Sequence, residues 1–226
     1  MSGNKNLLIV TGGPGTGKST IAAHLAASFP WFTALSYDEI KEKEWDRFGF
    51  DNAEEKARLN AFSLEEFYLC LQKLMWEGKD ILIEYPFNHR HRDRLWQLTH
   101  TYGYNCVTVL LEADWRVIYD RFARRAGQHS AAGKRAEGPG AARHPGHQTN
   151  HYHIEENALS TAPSCDAVPS FEVFLDDVNA KIYDIRLGHT VRVDVTDFGA
   201  VSPEKTAAEI RRWLRVDNGA VGGDLI

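Results

Sequence analysis

Residues 12–19 constrain this chain more than any other part of its sequence. They read Gly-Gly-Pro-Gly-Thr-Gly-Lys-Ser and stand between an apolar run, residues 7–10, and an alanine-rich helical segment that begins near Thr20. Glycines let the backbone turn so that successive amides converge on one anion, and the positive end of the following helix points at the same place. A strand before such a loop and a helix after it are the context that a phosphate-binding P-loop requires. The sequence therefore predicts a P-loop rather than a chance glycine-rich turn.

The residues of this predicted loop have expected contacts with a bound nucleotide. Lys18 should reach the β- and γ-phosphates, and the hydroxyl group of Ser19 should ligate Mg²⁺. The expected nucleotide-binding set is Gly12, Gly13, Pro14, Gly15, Thr16, Gly17, Lys18, Ser19 and Thr20. We therefore expect a triphosphate and its Mg²⁺ at the junction of the first strand and the first helix.

Length and composition indicate a soluble protein with one domain that covers residues 1–226. Hydrophobic residues make up 43% of the chain and charged residues 25%, which is ordinary for a globular protein. Apolar runs are shorter than the roughly 18 residues that a membrane span needs, and the first six residues lack a signal region, which predicts a cytoplasmic location. The net charge of −5 gives no general attraction to nucleic acid, so we expect neither membrane nor nucleic-acid partners. The tail, residues 218–226, is expected to be loose.

Five short apolar segments alternate with helical patterns along the chain. The predicted strands are residues 7–10, 32–36, 81–85, 105–111 and 190–195. The predicted helices are residues 18–29, 51–60, 63–77, 89–100, 114–126 and a last one that starts with Pro203 after a Ser202 cap. Strands that alternate with helices in this way predict an α/β fold, with a five-stranded parallel sheet and helices on both of its faces.

Three details of this assignment depend on local signals. Ser63 and Glu66 have the spacing of a helix capping box, which predicts a helix that begins at residue 63. Residues 127–150 have no periodicity and are rich in Gly, Ala, His and Pro, which predicts a mobile loop. Residues 151–187 have no clear pattern, so no element is assigned to them.

Carboxylates follow two of the predicted strands. Asp38 comes after the second strand and Glu84 ends the apolar part of the third, while the P-loop follows the first. Ligands of parallel α/β sheets bind beyond the carboxyl ends of the strands, so we expect these three stretches to meet at one site. An alternative for Asp38 is the N-cap of a helix over residues 39–47. An alternative for Glu84 is an ion pair with Arg90 or Arg94.

With these motifs the chain resembles the P-loop kinases of small molecules, a group that includes adenylate, shikimate and gluconate kinases, chloramphenicol phosphotransferase and relatives of the zeta toxins. The stretch Ser-Tyr-Asp-Glu-Ile at residues 36–40 is similar to a strand-two segment in which the aspartate accepts the proton of the acceptor hydroxyl. The resemblance implies ATP and Mg²⁺ as cofactors and Asp38 as the catalytic base. It implies that Glu84 is a second metal contact, through water, or that it orients the acceptor instead. The chain departs from the pattern at Lys41, where relatives often have arginine, and at Glu84, where they more often have aspartate.

The resemblance also implies two flanking regions. Residues 39–60 would close over the acceptor, and residues 121–150 would form a mobile lid over ATP. Arg121 and Arg125 would neutralise the charge of the transferred phosphoryl group, and Arg124 would bind the nucleotide. The alternative for these three arginines is a solvated basic helix face.

The predicted function is transfer of the γ-phosphoryl group of ATP to a hydroxyl group of a small molecule. A nucleoside is the first acceptor to test, because aromatic side chains near the strand ends could stack on a base; these are Trp45, Phe48, Tyr85 and Phe87. One alternative is a nucleotide-dependent switch or binding protein without a small acceptor, although the chain has no N-K-x-D motif for reading guanine. Another is a kinase of a nucleotide sugar that resembles the zeta toxins.

Overall fold

A five-stranded parallel sheet forms the centre of the fold. The computed structural model describes residues 5–132 and 168–215, with the side chains of residues 125–132 left out of the description. The strands are β1 (Asn6–Gly12), β2 (Thr33–Ser36), β3 (Ile81–Glu84), β4 (Asn105–Glu112) and β5 (His189–Asp194). Their order in the sheet is β2-β3-β1-β4-β5, and each pair of neighbours is parallel. The predicted α/β fold with a five-stranded parallel sheet is confirmed.

Helices cover both faces of the sheet. They are α1 (Lys18–Ser28), α2 (Tyr37–Phe48), α3 (Ala53–Trp76), α4 (His89–Tyr102), α5 (Trp115–Ala132), α6 (Phe171–Lys181) and α7 (Pro203–Arg211). A short 3₁₀ turn, Phe198–Ala200, lies between β5 and α7. Pro203 stands at the first position of α7 and the Ser202 hydroxyl accepts a bond from the amide of Lys205, as the sequence predicted.

Successive side chains of strand β1 point alternately into the two hydrophobic clusters on opposite faces of the sheet. Leu7 and Ile9 are fully buried in a cluster with side chains of α3 and α4, such as Phe67 and Leu95. Their neighbours Leu8 and Val10 are fully buried in the opposite cluster, together with α1 and α7. Since successive side chains of a strand point to opposite faces, an entirely apolar strand needs cover on both sides. The chain supplies that cover with these two pairs of helices.

The register of the strands brings their carboxyl ends to one edge of the sheet. Glu84, the last residue of β3, pairs with Val10 of β1 on one side and with Ser36 of β2 on the other. Gly12 of β1 pairs with Leu111 of β4. The P-loop, the start of α2 and the end of β3 therefore leave the sheet at the same edge.

Helix α3 is longer than the sequence predicted. It runs without a break from Ala53 to Trp76, and its N-cap is Asn52, whose side chain accepts a bond from the amide of Glu55. Ser63 is buried inside this helix and donates its hydroxyl to the carbonyl of Leu59 at 2.8 Å. The prediction of a helix start at Ser63 is wrong, because a serine inside a helix can bond back to the fourth residue before it instead of capping.

The second half of the chain also corrects the sequence assignment. Residues 127–132, predicted as loop, continue helix α5, and the rest of the predicted loop and lid up to residue 150 lies outside the described residues. Helix α6 was missed; it begins after Ser170, whose hydroxyl accepts a bond from the amide of Val173. The tail from residue 218 also lies outside the described residues. In the part of the chain that the structure describes, no helix is both long and apolar enough to cross a membrane.

Candidate active site

The P-loop makes the turn from β1 into α1. Gly15 and Gly17 have φ angles of +81° and +82°, in the left-handed region that glycine adopts without strain. The carbonyl of Gly13 is the centre of the loop, because it accepts bonds from the Thr16 hydroxyl at 2.8 Å and from Lys18 Nζ at 2.9 Å. Helix α1 begins at Lys18, directly after the loop, so the positive end of its dipole points at the loop. Ser19 and Thr20, in the first turn of this helix, are exposed.

Aromatic rings from two other elements lie against the loop glycines. A Cβ atom on Gly13 would lie 2.7 Å from the ring of Trp115, which begins α5. A Cβ atom on Gly17 would lie 2.5 Å from the ring of Phe198, in the 3₁₀ turn after β5. Side chains larger than hydrogen would therefore push these rings away. The glycines serve both the turn and this close approach of the neighbouring elements.

The side chain of Lys18 turns back toward the P-loop, where Nζ donates to the carbonyl of Gly13 at 2.9 Å. Its side chain is buried, and its bond to the carbonyl of Gly13 satisfies one of the three ammonium donors. A phosphate oxygen is a stronger partner for an ammonium group than a neutral carbonyl is. Lys18 is therefore placed where its ammonium group can contact a phosphate held by the loop.

Glu84 and Ser19 bring two oxygen donors together beside the loop. The Ser19 hydroxyl donates to Glu84 Oε2 at 3.3 Å. Burial raises the pKa of Glu84, and the nearby charge of Lys18 opposes that rise. Hydroxyl and carboxylate oxygens are donors that Mg²⁺ accepts, and a cation would offset the cost of burying the ionised carboxylate. The residues present therefore fit Mg²⁺.

Two further observations bear on this metal assignment. Arg94 is bonded to Glu65, at 2.5 and 2.7 Å, so the suggested pair of Glu84 with Arg94 is wrong. Among the described residues no group of three or more His, Cys, Asp or Glu side chains is gathered in a way that could hold a metal ion. Mg²⁺ commonly uses one or two protein ligands together with phosphate oxygens and water, so two ligands are sufficient here.

Asp38 lies in the first turn of α2 rather than at the end of a strand. The N-cap of this helix is Ser36, whose hydroxyl accepts a bond from the amide of Glu39 at 3.4 Å. The alternative assignment of Asp38 as a helix N-cap is therefore wrong. Its carboxylate instead forms a 2.5 Å ion pair with Lys41, one turn further along the helix.

Lys41 is a further functional candidate, which the sequence analysis did not identify as the ion-pair partner of Asp38. Its side chain is fully buried, whereas 26% of the Asp38 side chain is exposed. The ammonium group lies 5.3 Å from the ring centre of Tyr37 and 5.0 Å from that of Trp45. The sequence signal for the Asp38–Lys41 ion pair was their spacing of three residues, since such positions are neighbours on the surface of a helix. What the sequence did not show is that this lysine is buried beside two aromatic rings.

The rings around Lys41 are held by one residue of α3. Tyr37 donates its hydroxyl to the carbonyl of Asn60 at 3.0 Å, and Trp45 Nε1 donates to the side-chain oxygen of the same residue at 3.1 Å. These bonds fix the position of α2 against α3 on the side of the site where the acceptor was predicted. The suggested stacking of aromatic rings on a nucleoside base is not supported, because three of the four rings are core residues; these are Trp45, Tyr85 and Phe87.

Four charged groups from three elements meet at this edge of the sheet. The pKa of Glu84 is raised by burial and further by Asp38, whereas Lys18 and Lys41 act against the rise. The structure thus brings together the carboxylates and the P-loop lysine that the sequence analysis assigned to one site, and it adds Lys41. A site with two carboxylates and two ammonium groups can bind a metal nucleotide and hold a hydroxyl compound beside it.

The predicted lid arginines have different surroundings. Arg121 donates to the carbonyls of Val195 and Thr196, at 2.7 and 2.8 Å, and so ties α5 to the segment after β5. Arg124 is exposed and bonds to the carbonyl of Asp120 in its own helix. The side chain of Arg125 lies outside the described residues.

A cleft of about 300 Å³ opens on another side of the P-loop. Its lining includes Gly12 and Gly13, the end of β4 and the aromatic side chains of Trp115 and Tyr183. It lies beyond the carboxyl ends of two neighbouring strands, the usual position for a ligand in such sheets.

Comparison with known proteins identifies the family. Residues 7–143, well over half of the chain, match the family described as AAA domain, and the chain belongs to that family. A kinase candidate from Chloroflexus aurantiacus superposes with a TM-score of 0.68 over 95% of this chain and 100% of that one, at 21% sequence identity. The chain therefore shares its fold with this kinase candidate.

Two enzymes with this fold are more distant. The APS kinase of Mycobacterium tuberculosis, solved with AMPPNP and APS, has a TM-score of 0.53 and 13% identity, over 93% of this chain and 98% of that one. The shikimate kinase of Bacteroides thetaiotaomicron has a TM-score of 0.50 and 13% identity, over 92% of this chain and 97% of that one. No curated protein matches the sequence.

Proposed function

We propose that this protein is an ATP-dependent phosphotransferase that moves the γ-phosphoryl group to a hydroxyl group of a small molecule. The observation that carries the proposal is the position of Lys18, Glu84 and Asp38 at one edge of the sheet: Glu84 accepts a bond from Ser19, next to Lys18, and pairs with Ser36, which precedes the first turn of α2 that holds Asp38. Phosphoryl transfer depends mainly on positioning and on neutralising charge, and these residues supply both.

The P-loop side of the site would hold ATP and its metal. Amides of residues 13–19 would bind the phosphates, and Lys18 would exchange the carbonyl of Gly13 for the β- and γ-oxygens. Mg²⁺, held by Ser19 and with Glu84 nearby, would neutralise charge on those oxygens. Thr20, in the first turn of α1, would contact the phosphates from the helix end.

The α2 side of the site would hold the acceptor. Asp38 would orient the acceptor hydroxyl and take up its proton, as general bases in kinases do. Lys41 would act through Asp38, because it is buried beneath the carboxylate and bonded to it. Residues 39–60, which include most of α2 and the start of α3, would form the acceptor side of the candidate site.

The arginines of α5 would complete the charge neutralisation. Arg124, which is exposed, would contact the nucleotide from the proposed lid, residues 121–150, and Arg125, next to it in α5, would neutralise charge on the transferred phosphoryl group. Arg121 would support the phosphoryl group through its place at the P-loop side of α5, although its two backbone bonds also give it a structural task.

The acceptor is proposed at the level of a small hydroxyl compound. A nucleoside has no special support, since the rings suggested for stacking belong to the core. A nucleotide-sugar kinase would use the same catalytic residues and would differ only in its acceptor. A nucleotide-dependent switch would use the P-loop but would not need the base at Asp38.

A comparison of two fractions of a cell extract separates the kinase from the switch. ADP formation from MgATP would be measured after addition of the low-molecular-mass fraction or the macromolecular fraction, with Lys18→Ala as the blank. We expect the low-molecular-mass fraction to raise ADP formation by about tenfold or more over the basal rate, because a positioned hydroxyl competes with water. A response to the macromolecular fraction alone would contradict the proposal and favour the switch.

A further inference from the structure

Helix α3 exposes a stripe of three large apolar side chains. Phe62, Leu69 and Trp76 have 48, 56 and 78% of their surface exposed. They recur every seven residues, which is close to two helical turns, so they form a row along one side of the helix that drifts by roughly 20° from one residue to the next. The row spans about 21 Å. We call these three residues the α3 stripe.

The α3 stripe is separate from the faces of α3 that already pack within the chain. Phe67 and Leu71 face the core beneath the sheet. The neighbouring side contacts α4, where Glu65 binds Arg94 and Gln72 donates to the Tyr102 hydroxyl at 3.0 Å. Stripes of large apolar residues on a surface mark interaction sites when they are contiguous, whereas single exposed residues need no explanation.

Two opposite charges lie on the same flank of the stripe. Glu66 precedes Leu69 by three residues and Lys73 follows it by four. At about 100° per residue, both are rotated to the same side of Leu69, by roughly 60° and 40°. Glu66 is half-buried and Lys73 is exposed. Along the helix axis, this flank thus has an acid on the N-terminal side of Leu69 and a base at nearly the same distance on the C-terminal side.

We propose that the α3 stripe is the interface of a symmetric homodimer in which two α3 helices pack antiparallel with Leu69 at the two-fold axis. The axis places Phe62 opposite Trp76 of the second copy, because the two residues are equally far from Leu69. It also places Glu66 beside Lys73 of the second copy, twice by symmetry. Both the apolar row and the charged flank therefore match their own copy, as an isologous interface requires.

The size of this interface predicts a weak and reversible dimer. Three large side chains from each copy form a contact at the low end of the range for specific protein interfaces. We expect a dissociation constant on the order of 10 μM, so association should be visible between about 1 and 200 μM protein. The inference does not depend on the proposed function, because none of these residues belongs to the candidate active site.

Sedimentation of the full chain and its charge variants tests the arrangement. The wild type should shift from monomer to dimer over this concentration range, and Leu69→Glu should stay monomeric. Glu66→Lys and Lys73→Glu should each weaken association by about tenfold or more, because each places like charges together. Mixing these two variants should restore a dimer, because each then meets the opposite charge on the other. Arg92→Glu, exposed on α4, is the control and should behave as the wild type.

Circular dichroism would establish that each variant is folded. A wild type that remains monomeric at about 200 μM, or that behaves in the same way after Leu69→Glu, would overturn the proposal. Failure of the mixed charge variants to associate more strongly than either alone would also overturn it, since the antiparallel arrangement requires that rescue.

Discussion

Lys18 and Lys41 are both buried lysines of the candidate site, and their partners give them different tasks. Lys18 is bonded to the neutral carbonyl of Gly13, which a phosphate can replace. Lys41 is bonded to the carboxylate of Asp38 and lies beside two aromatic rings. Displacing Lys41 would break a buried, charge-assisted bond to the Asp38 carboxylate, so we assign Lys18 to substrate contact and Lys41 to support of Asp38.

A double-mutant cycle tests this assignment. Asp38→Asn should lower turnover by about 10²-fold or more with little change in ATP affinity, because it removes the base and leaves the P-loop intact. Lys41→Met should lower turnover by about tenfold in the wild type and hardly at all in Asp38→Asn, since its effect passes through the carboxylate. Lys43→Met, exposed on the same helix, is the control.

Two results would contradict this account of Asp38. A loss of ATP affinity as large as the loss of turnover would place Asp38 among the metal contacts. An equal effect of Lys41→Met in both backgrounds would make Lys41 a structural residue of α2. Lys41→Arg should retain most activity if the charge at this position is what matters.

At the scale of helices and strands, the local signals predicted the starts of α1 and α7 correctly, placed a false start at Ser63 and missed α6. The caps of α7 and the P-loop turn into α1 follow from residue types within four positions of each other. The unbroken α3 and the helix α6 depend on packing against other elements, which no local pattern reports. Phe174 of α6, for example, is fully buried against Ile118 and Phe122 of α5.

Arg121 links two elements that lie on either side of the P-loop. Arg121→Ala should lower the free energy of unfolding by about 1–3 kcal/mol, because two backbone carbonyls lose a charged donor. Arg124→Ala is the matched control on the same helix, and its exposed side chain predicts a change within about 0.5 kcal/mol. Urea unfolding would measure both. Equal stability of the two variants would contradict the clamp that we assign to Arg121.

The start of α4 should make stability depend on pH. Burial lowers the pKa of His91 to about 4, and its Nδ1 accepts the amide of Asn88 in the helix cap. At pH values between about 4 and 6.5, His91 therefore binds a proton in the unfolded chain but not in the folded chain. Stability should therefore fall as the pH drops from about 6.5 to 4, by up to about 3 kcal/mol from this group.

His91→Gln separates this contribution from those of other titrating groups. Its free energy of unfolding should depend less on pH over the same range than that of the wild type, while His100→Gln, exposed on the same helix, should retain the full dependence. Urea unfolding at several pH values would measure the difference. Parallel pH profiles for wild type and His91→Gln would refute the assignment.

At the scale of the whole molecule, the sheet explains why distant stretches of the sequence form one site. Parallel strands that end in loops at one edge bring the P-loop, Asp38 and Glu84 together, which the sequence predicted from the position of each stretch after a strand. The order β2-β3-β1-β4-β5 was not predictable, since it depends on crossovers rather than on local pattern. The burial of Lys41 and the nearby rings was not predictable either. The sequence of α2 is mostly charged and does not indicate which of its faces is buried.

The destination of the γ-phosphoryl group tests the central claim most directly. The protein would be incubated with ATP labelled in that group and a pool of small metabolites, and the label would be followed by mass spectrometry. We predict that label appears on a hydroxyl group of a small metabolite in proportion to the ADP formed, and that a folded Lys18→Ala variant transfers at least about 10²-fold less. Label found only in inorganic phosphate or on protein, or transfer by Lys18→Ala near the wild-type rate, would contradict the account.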